Sequence, residues 1–69
     1  MNPVNLLTKN ELNLMRLCSE GLTNQEIALK TGKALPTVKN TMVKIKDKLG
    51  AKNSAHAVAI IFRQSFRPD

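Results

Sequence analysis

The side chains most able to take part in binding chemistry are lysines grouped in the middle of the chain. Residues 30–52 contain seven lysines and one acidic residue, Asp47, so their net charge of +6 equals the formal charge of all 69 residues. Residues before this segment sum to −1, and residues after it sum to +1. Because a local group of ammonium ions attracts anions, the segment favours an anionic partner, nucleic acid first and acidic lipid second.

The residue types needed for catalysis or metal binding are scarce. Cys18 is the only cysteine and His56 the only histidine, which excludes an internal disulfide framework and a four-ligand zinc site of these residues. They cannot supply a nucleophile, a base and an orienting residue, and no glycine-rich phosphate loop is present. We therefore expect no enzyme, no metal and no cofactor. Burial of Cys18 on an apolar helical stripe is favoured over a reactive thiol, and His56 is expected to be solvated.

The length of the chain bounds its organisation. At 69 residues and 7.6 kDa it has room for one core, so residues 1–69 are predicted to form a single domain with short flexible ends at about 1–5 and 67–69. A hydrophobic content of 42% is enough for a compact fold. The first residues lack the basic and apolar regions of an export signal, and no apolar run approaches a membrane span of about 18 residues. A cytoplasmic protein that does not enter the membrane is expected.

Local signals predict four helices and no strands. Thr8 with Glu11, and Thr23 with Glu26, have the spacing of capping boxes, in which two side chains satisfy each other's backbone N–H groups at a helix start. Glycines follow the first three helical segments, and the fourth segment begins after Asn53. The predicted helices of this all-α, four-helix bundle span about residues 9–20, 24–31, 35–49 and 54–66.

The third predicted helix has one apolar face and one polar face. At about 100° per residue, four apolar side chains fall within a narrow arc that points toward the core. They are Val38, Met42, Ile45 and Leu49. Lys39, Asn40 and Val43 lie on the opposite side and face outward. A short capped helix, a tight turn at Gly32 and this longer helix form a helix-turn-helix pattern.

Motifs along most of the chain resemble those of a known family. They are Leu7-Thr8, Glu11, the run from Gly21 to Ala28, Gly32, Thr37-Val38-Lys39-Asn40, Ile45, Lys48-Leu49-Gly50 and Ala57-Val58. Together, over about residues 6–62, they are similar to the LuxR-type helix-turn-helix domain of bacterial transcription regulators. The resemblance implies a four-helix domain that binds double-stranded DNA, with its third helix in the major groove and its fourth helix commonly mediating dimerisation.

The same resemblance assigns four residues to base contact. Lys39 and Asn40 occupy family positions that face base edges, and Val43 and Lys44 lie one turn further along the helix. Lysine donates to guanine, asparagine pairs with adenine, and valine contacts the methyl group of thymine, so these residue types suit direct readout. The alternative interpretation is a solvated polar surface. An outward-facing Val43 favours base contact.

Phosphate contacts are expected from residues near the helix starts. Thr23, Asn24 and Thr37 lie where hydroxyl groups, amide groups and free backbone N–H groups can bind phosphate. Helix capping is the alternative role for all three, and it is the primary role expected for Thr23. Lys46 is assigned to phosphate contact, with solvation as the alternative. For Lys48, phosphate contact and simple solvation are both left open.

Several residues depart from the family pattern at and after the turn. Lys33-Ala34 replaces an aliphatic residue and a Ser cap, Thr31 replaces a leucine, and Thr41 replaces a histidine. Loss of a Ser cap typically costs about 1 kcal/mol, offset in part by Pro36, which restricts the unfolded chain. We expect Leu35 to turn inward into the missing aliphatic place and to change how the third helix begins.

The fourth predicted helix carries two apolar stripes. Ala57, Val58 and Ile61 match the inward positions of the family. The second stripe, about 100° or more away, consists of Ala55, Ala59, Phe62 and Phe66. Because this stripe includes both aromatic residues of the chain, it favours a homodimer interface. The alternative is that Phe62 folds back on the first helix.

These patterns predict sequence-specific binding of double-stranded DNA by a bacterial transcription regulator that reads the major groove as a homodimer. The alternative is an interaction protein that forms heterodimers with a larger LuxR-type regulator and antagonises it, an interpretation to which the altered start of the third helix gives weight. RNA binding is disfavoured because the chain has no Trp or Tyr, and its two Phe residues lie away from the lysine-rich segment.

Overall fold

Four α-helices make up most of residues 6–65. The computed structural model describes residues 6–65, with side chains up to Arg63. The helices are α1 (Lys9–Ser19), α2 (Asn24–Thr31), α3 (Leu35–Leu49) and α4 (Ser54–Ser65), and no strand occurs within residues 6–65. The all-α prediction is confirmed, and the helix ends lie within one residue of the predicted ones. The predicted flexible ends and Phe66 lie outside the described residues.

Both α1 and α2 begin with the predicted capping boxes. At α1, Thr8 Oγ1 accepts the N–H of Glu11 at 3.1 Å, and a carboxylate oxygen of Glu11 accepts the N–H of Thr8 at 2.9 Å. At α2, the corresponding distances between Thr23 and Glu26 are 3.2 Å and 2.8 Å. Because N–H groups at a helix start have no intrahelical acceptor, these bonds fix where both helices begin.

The turn between α2 and α3 depends on Gly32. This residue has φ +71°, in the left-handed region that residues with a Cβ rarely adopt. The carbonyl of Ala28 accepts the N–H of Gly32 and also the N–H of Lys33, the latter at 3.0 Å. The Thr31 hydroxyl donates to the carbonyl of Ile27 at 2.7 Å. The chain therefore reverses within the three residues that separate the two helices.

One hydrophobic core is shared by the four helices. Its most deeply buried large side chains are Leu17, Ile27, Val38, Met42 and Ile45. All four members of the predicted inward stripe of α3 are buried, and Ala57 of α4 has no accessible surface. Leu35 packs against the edge of the core, as expected. Since burial of one large aliphatic side chain contributes about 1.5–3 kcal/mol, this stripe holds α3 firmly against the other helices.

Cys18 lies at the margin of the core. Its side chain is partly buried and packs against the buried residues. Burial raises the pKa of its thiol, which keeps the sulfur protonated at neutral pH. Because the thiolate is the reactive form, these properties favour a packing role for Cys18.

An ion pair that sequence analysis did not predict joins α1 to α3. The Glu11 carboxylate, already part of a capping box, accepts two hydrogen bonds from Lys48 Nζ at 2.7 Å and 3.0 Å. The Glu11 side chain is 9% exposed and the Lys48 side chain 36%. The Lys48 ammonium group is thus held by a buried carboxylate, a role that neither interpretation of Lys48, phosphate contact or simple solvation, anticipated.

The pKa of Glu11 lies below its ordinary value of 4.5. Burial alone raises this pKa, but hydrogen bonds from Lys48 and Thr8, together with the charge of Lys48, outweigh burial. A carboxyl group whose pKa is lower in the folded state stabilises the fold above its unfolded pKa. This stabilisation is lost as the pH falls through the folded pKa.

The replacement Lys48→Met keeps the aliphatic stem and removes the ammonium group. The Glu11 carboxylate then stays buried without its cation, so the free energy of unfolding at pH 7, measured by urea denaturation, should fall by about 1–3 kcal/mol. Acid unfolding should also begin at a higher pH than in the wild type. Lys46→Met removes a charge from the same last turn of α3 and should change stability by less than about 0.5 kcal/mol. Equal stability of the two variants would contradict the role assigned to the pair.

Candidate nucleic-acid interface

The face of α3 opposite its buried stripe is exposed and basic. Lys39, Asn40, Val43 and Lys44 are all exposed, and Val43 retains 59% of its accessible surface. Lys39 lies one turn before Val43, and Asn40 lies one turn before Lys44, so the four residues are neighbours on one surface. The structure thus brings together the residues that the resemblance assigned to base contact. We call these four residues the α3 patch.

The predicted phosphate-binding residues lie at separate places around the helix-turn-helix. Thr23 is the exposed N-cap of α2, and Asn24 beside it is half-buried. Thr37 is exposed in the first turn of α3, whereas Lys46 is half-buried in the last turn. Thr23 Oγ1 accepts the N–H of Glu26, which leaves the hydroxyl proton available for another acceptor. Capping and phosphate contact are therefore chemically compatible at Thr23.

The start of α3 has no side-chain cap, as the sequence indicates. Ala34 occupies the N-cap position with φ −70° and ψ 146°, and its methyl group cannot accept a hydrogen bond. Pro36 lies in the first turn and has no N–H to satisfy. Thr41 donates its hydroxyl to the carbonyl of Thr37 at 2.8 Å, within its own helix. The first-turn N–H groups of α3 are consequently left to solvent or to an anion.

The second apolar stripe of α4 is partly covered. Ala55 is exposed, Ala59 is half-buried and Phe62 is 62% exposed. Phe62 also borders a groove of about 160 Å³ between α1 and α4. The groove is lined by Leu12, Met15, Arg16, Ser19, Val58, Ile61 and Phe62. Phe62 therefore borders α1 and still presents most of its surface outward, so both interpretations of this residue stay open.

His56 has a structural role that sequence analysis missed. Its Nδ1 atom accepts the backbone N–H of Lys52 at 3.0 Å, and the Asn53 side chain accepts the N–H of His56 at 2.8 Å. Sequence analysis expected His56 only to be solvated, whereas its half-buried ring also closes the start of α4. The available signal was an N-cap residue followed three positions later by an acceptor, the spacing of the two capping boxes.

Neither a metal-ligand cluster nor a membrane-spanning helix occurs within residues 6–65. No group of three or more His, Cys, Asp or Glu side chains among them is placed to hold a metal ion. None of the helices in this part of the chain has the length and apolar character of a segment that crosses a bilayer.

A capped α2, the Gly32 turn and an α3 with one exposed basic face define a helix-turn-helix domain. Residues 5–61 match the family described as "Bacterial regulatory proteins, luxR family". The chain belongs to this family, whose members are DNA-binding transcription regulators. It is also similar to the probable transcriptional regulatory protein SgaR of Hyphomicrobium methylovorum, with 41% identity over 59 residues. The match covers 86% of this chain and 28% of SgaR, so the chain spans less than a third of that relative's length.

The replacement Ala34→Ser tests whether the start of α3 lacks only a hydrogen-bond acceptor. The backbone at this position is already extended, as an N-cap requires, so a serine hydroxyl should accept a first-turn N–H without rearrangement. The free energy of unfolding in urea should rise by about 1 kcal/mol. Ala34→Val adds a side chain without an acceptor and should give no such gain. A similar gain in both variants would show that capping is not the cause.

Proposed function

We propose that the chain is a bacterial transcription regulator that binds double-stranded DNA sequence-specifically, with α3 in the major groove. The observation that carries this proposal is the α3 patch, which is exposed directly opposite a buried stripe of the same helix. A major groove about 12 Å wide admits an α-helix, and a helix held by its inner face presents its outer face in a fixed orientation. A cytoplasmic location, no cofactor and no catalytic activity are part of the proposal.

Each residue of the α3 patch has a suitable chemical partner in that groove. The Lys39 ammonium group donates to O6 and N7 of guanine, and the Asn40 amide both donates to and accepts from adenine. Val43 contacts a thymine methyl group, which accounts for a well-exposed aliphatic residue among polar neighbours. Lys44 reaches a base edge from the flank of the patch. The α3 patch would therefore discriminate among base pairs as well as attract DNA.

Phosphate contacts around the patch would set its register on the duplex. Thr23 and Asn24 offer a hydroxyl and an amide at the start of α2, where the helix dipole also favours an anion. Thr37 offers the same chemistry at the start of α3, together with first-turn N–H groups that have no protein acceptor. Lys46 adds a charge near the end of α3. Contacts of this kind fix orientation without reading sequence.

We also propose that two copies of the chain associate through α4. Ala55 and Ala59 are small enough for two helices to approach closely, and the exposed surface of Phe62 supplies apolar area beside the crossing. Phe66, outside the described residues, continues the same spacing. A two-fold pair would hold two α3 helices about 34 Å apart, so the preferred site would be an imperfect inverted repeat with half-sites about 10 base pairs apart.

A second candidate function is heterodimerisation with a larger LuxR-type regulator, which this chain would inactivate. The uncapped start of α3 favours it, because a less stable start would weaken DNA binding and leave the α4 surface unchanged. In that case the chain would bind duplex DNA poorly and still associate through Phe62.

The replacements Lys39→Ala and Asn40→Ala test the assignment to base contact. Each should relax the preference at one defined base pair and cost about 1–3 kcal/mol of affinity for the preferred duplex, measured by fluorescence anisotropy. Lys46→Ala, the matched phosphate variant, should weaken all duplexes evenly and reduce the slope of log affinity against log salt by about 0.9. If the Lys39 and Asn40 variants stay folded and lose equal affinity for preferred and scrambled duplexes, they do not read bases.

Phe62→Glu tests the proposed dimer. A carboxylate at the helix crossing would have to be desolvated, so the variant should sediment as a monomer in analytical ultracentrifugation and bind a full site far more weakly than wild type while keeping its half-site affinity. Leu29→Glu introduces the same charge at an apolar residue of α2 that is 79% exposed, and it should leave the dimer intact. A wild type that remains monomeric at high concentration and binds one chain per site would rule out this interface.

A further inference from the structure

A polar groove lies between α1 and the end of α2. Its volume is about 370 Å³, in the lower part of the range typical of small-ligand sites. The groove is lined by Asn10, Asn13, Leu14, Arg16, Leu17, Lys30, Thr31 and Lys33. Three of these residues are cations, none is acidic and none belongs to α3. The groove is therefore a cationic surface separate from the α3 patch.

Two of the three cations at the groove lack a counter-ion within the described part of the chain. Arg16 is engaged, since it pairs with Glu20 at 2.8 Å and donates to Asn13 at 3.0 Å. Lys30 and Lys33 are exposed, and neither forms a salt bridge with a carboxylate of residues 6–65. Ammonium groups that share one groove repel each other. An anion placed between them relieves this repulsion.

The remaining lining residues complete a small binding surface. Leu14 and Leu17, at 3% and 2% exposure, form a closed apolar floor, and the exposed amides of Asn10 and Asn13 stand at the rim. The Thr31 hydroxyl is already bonded to a backbone carbonyl of α2. Thr31 and Lys33 are the positions at which the family pattern has aliphatic residues. The polar lining is therefore a departure of this chain from that pattern.

We propose that this groove binds a small phosphorylated compound. Its phosphoryl group lies between Lys30 and Lys33, where a dianion matches two ammonium charges, and its polar remainder meets Asn10 and Asn13. Lysine binds phosphate as a point charge and does not need the bidentate geometry of arginine, which suits two flexible side chains at a rim. Since Lys33 precedes the start of α3 by two residues, the bound compound also ties the turn to α1. A DNA phosphate offers the same chemistry, and the test below separates the two sources.

Inorganic phosphate serves as the probe in a titration of ¹⁵N-labelled protein at constant ionic strength, with chloride as the balancing anion. The amide signals of Asn10, Asn13, Thr31 and Lys33 should shift along one saturable curve. The double variant Thr31→Leu/Lys33→Ile places aliphatic side chains in the groove and should abolish that curve while circular dichroism shows an intact fold. Saturable shifts that persist in the folded double variant would overturn the proposal.

Two single-charge variants make the test specific. Lys33→Gln removes a charge from the groove and should weaken phosphate binding at least fivefold, whereas Lys9→Gln removes a charge from α1 outside the groove and should change it less than twofold. Lys33 is the better choice because Lys30 lies in the last turn of α2, where its charge also stabilises the helix. Equal phosphate affinity of the two variants would overturn the proposal.

Duplex affinity of the same two variants separates a free phosphorylated compound from the DNA backbone. If the groove binds a free compound, both variants should lose the same small amount of duplex affinity, as expected for one charge each. A loss of duplex affinity confined to Lys33→Gln would assign the groove to DNA phosphate and reject the proposal. Because α3 contributes no lining residue, this outcome does not depend on whether the α3 patch reads bases.

Discussion

The burial of one side of α3 fixes the orientation of this helix and of the surface that it exposes. Val38 and Ile45 retain no accessible surface, and Met42 retains 2%. A chain of this length buries only about 60% of its unfolded surface, so it has no second core to replace these contacts. Rotation of α3 about its axis would expose this stripe to water. The direction in which the α3 patch points is therefore set by the core, and the patch needs no partner to hold it outward.

The two ends of α3 are held with different strength. Its start follows the Gly32 turn, has Ala34 where a capping side chain would stand, and is held from within by the partly buried Leu35. Near its end, Lys48 is bonded to the buried carboxylate of Glu11. The N–H groups at the start of α3 have no capping side chain, whereas the end of the helix is linked to α1 by an ion pair. The start of α3 is therefore more easily distorted than its end. A small change in the angle of its first turn is thus compatible with a fixed core.

Features that depend on neighbouring residues could be predicted from the sequence, and features that depend on distant residues could not. The capping box at Thr8, the turn at Gly32 and the two faces of α3 each follow from residues a few positions apart. The pairing of Glu11 with Lys48 joins residues 37 positions apart. It neutralises the charge of one lysine in a basic segment that looks continuous in the sequence. The fold then divides the six remaining lysines of that segment: Lys39 and Lys44 lie in the α3 patch, Lys30 and Lys33 line a groove beside α1, and Lys46 and Lys52 belong to neither. Composition reports a total charge and cannot report this division.

We propose that the exposed face of α3 reads DNA sequence. Bound molecules selected from a random duplex library, followed by a salt titration on the recovered sequence, provide the decisive test. A protein that contacts base edges should enrich one sequence motif. The logarithm of its affinity for that motif should fall linearly with the logarithm of the salt concentration, because binding neutralises phosphates. Failure to enrich any motif, together with an affinity nearly independent of salt, would contradict the claim and would favour association with another protein through α4.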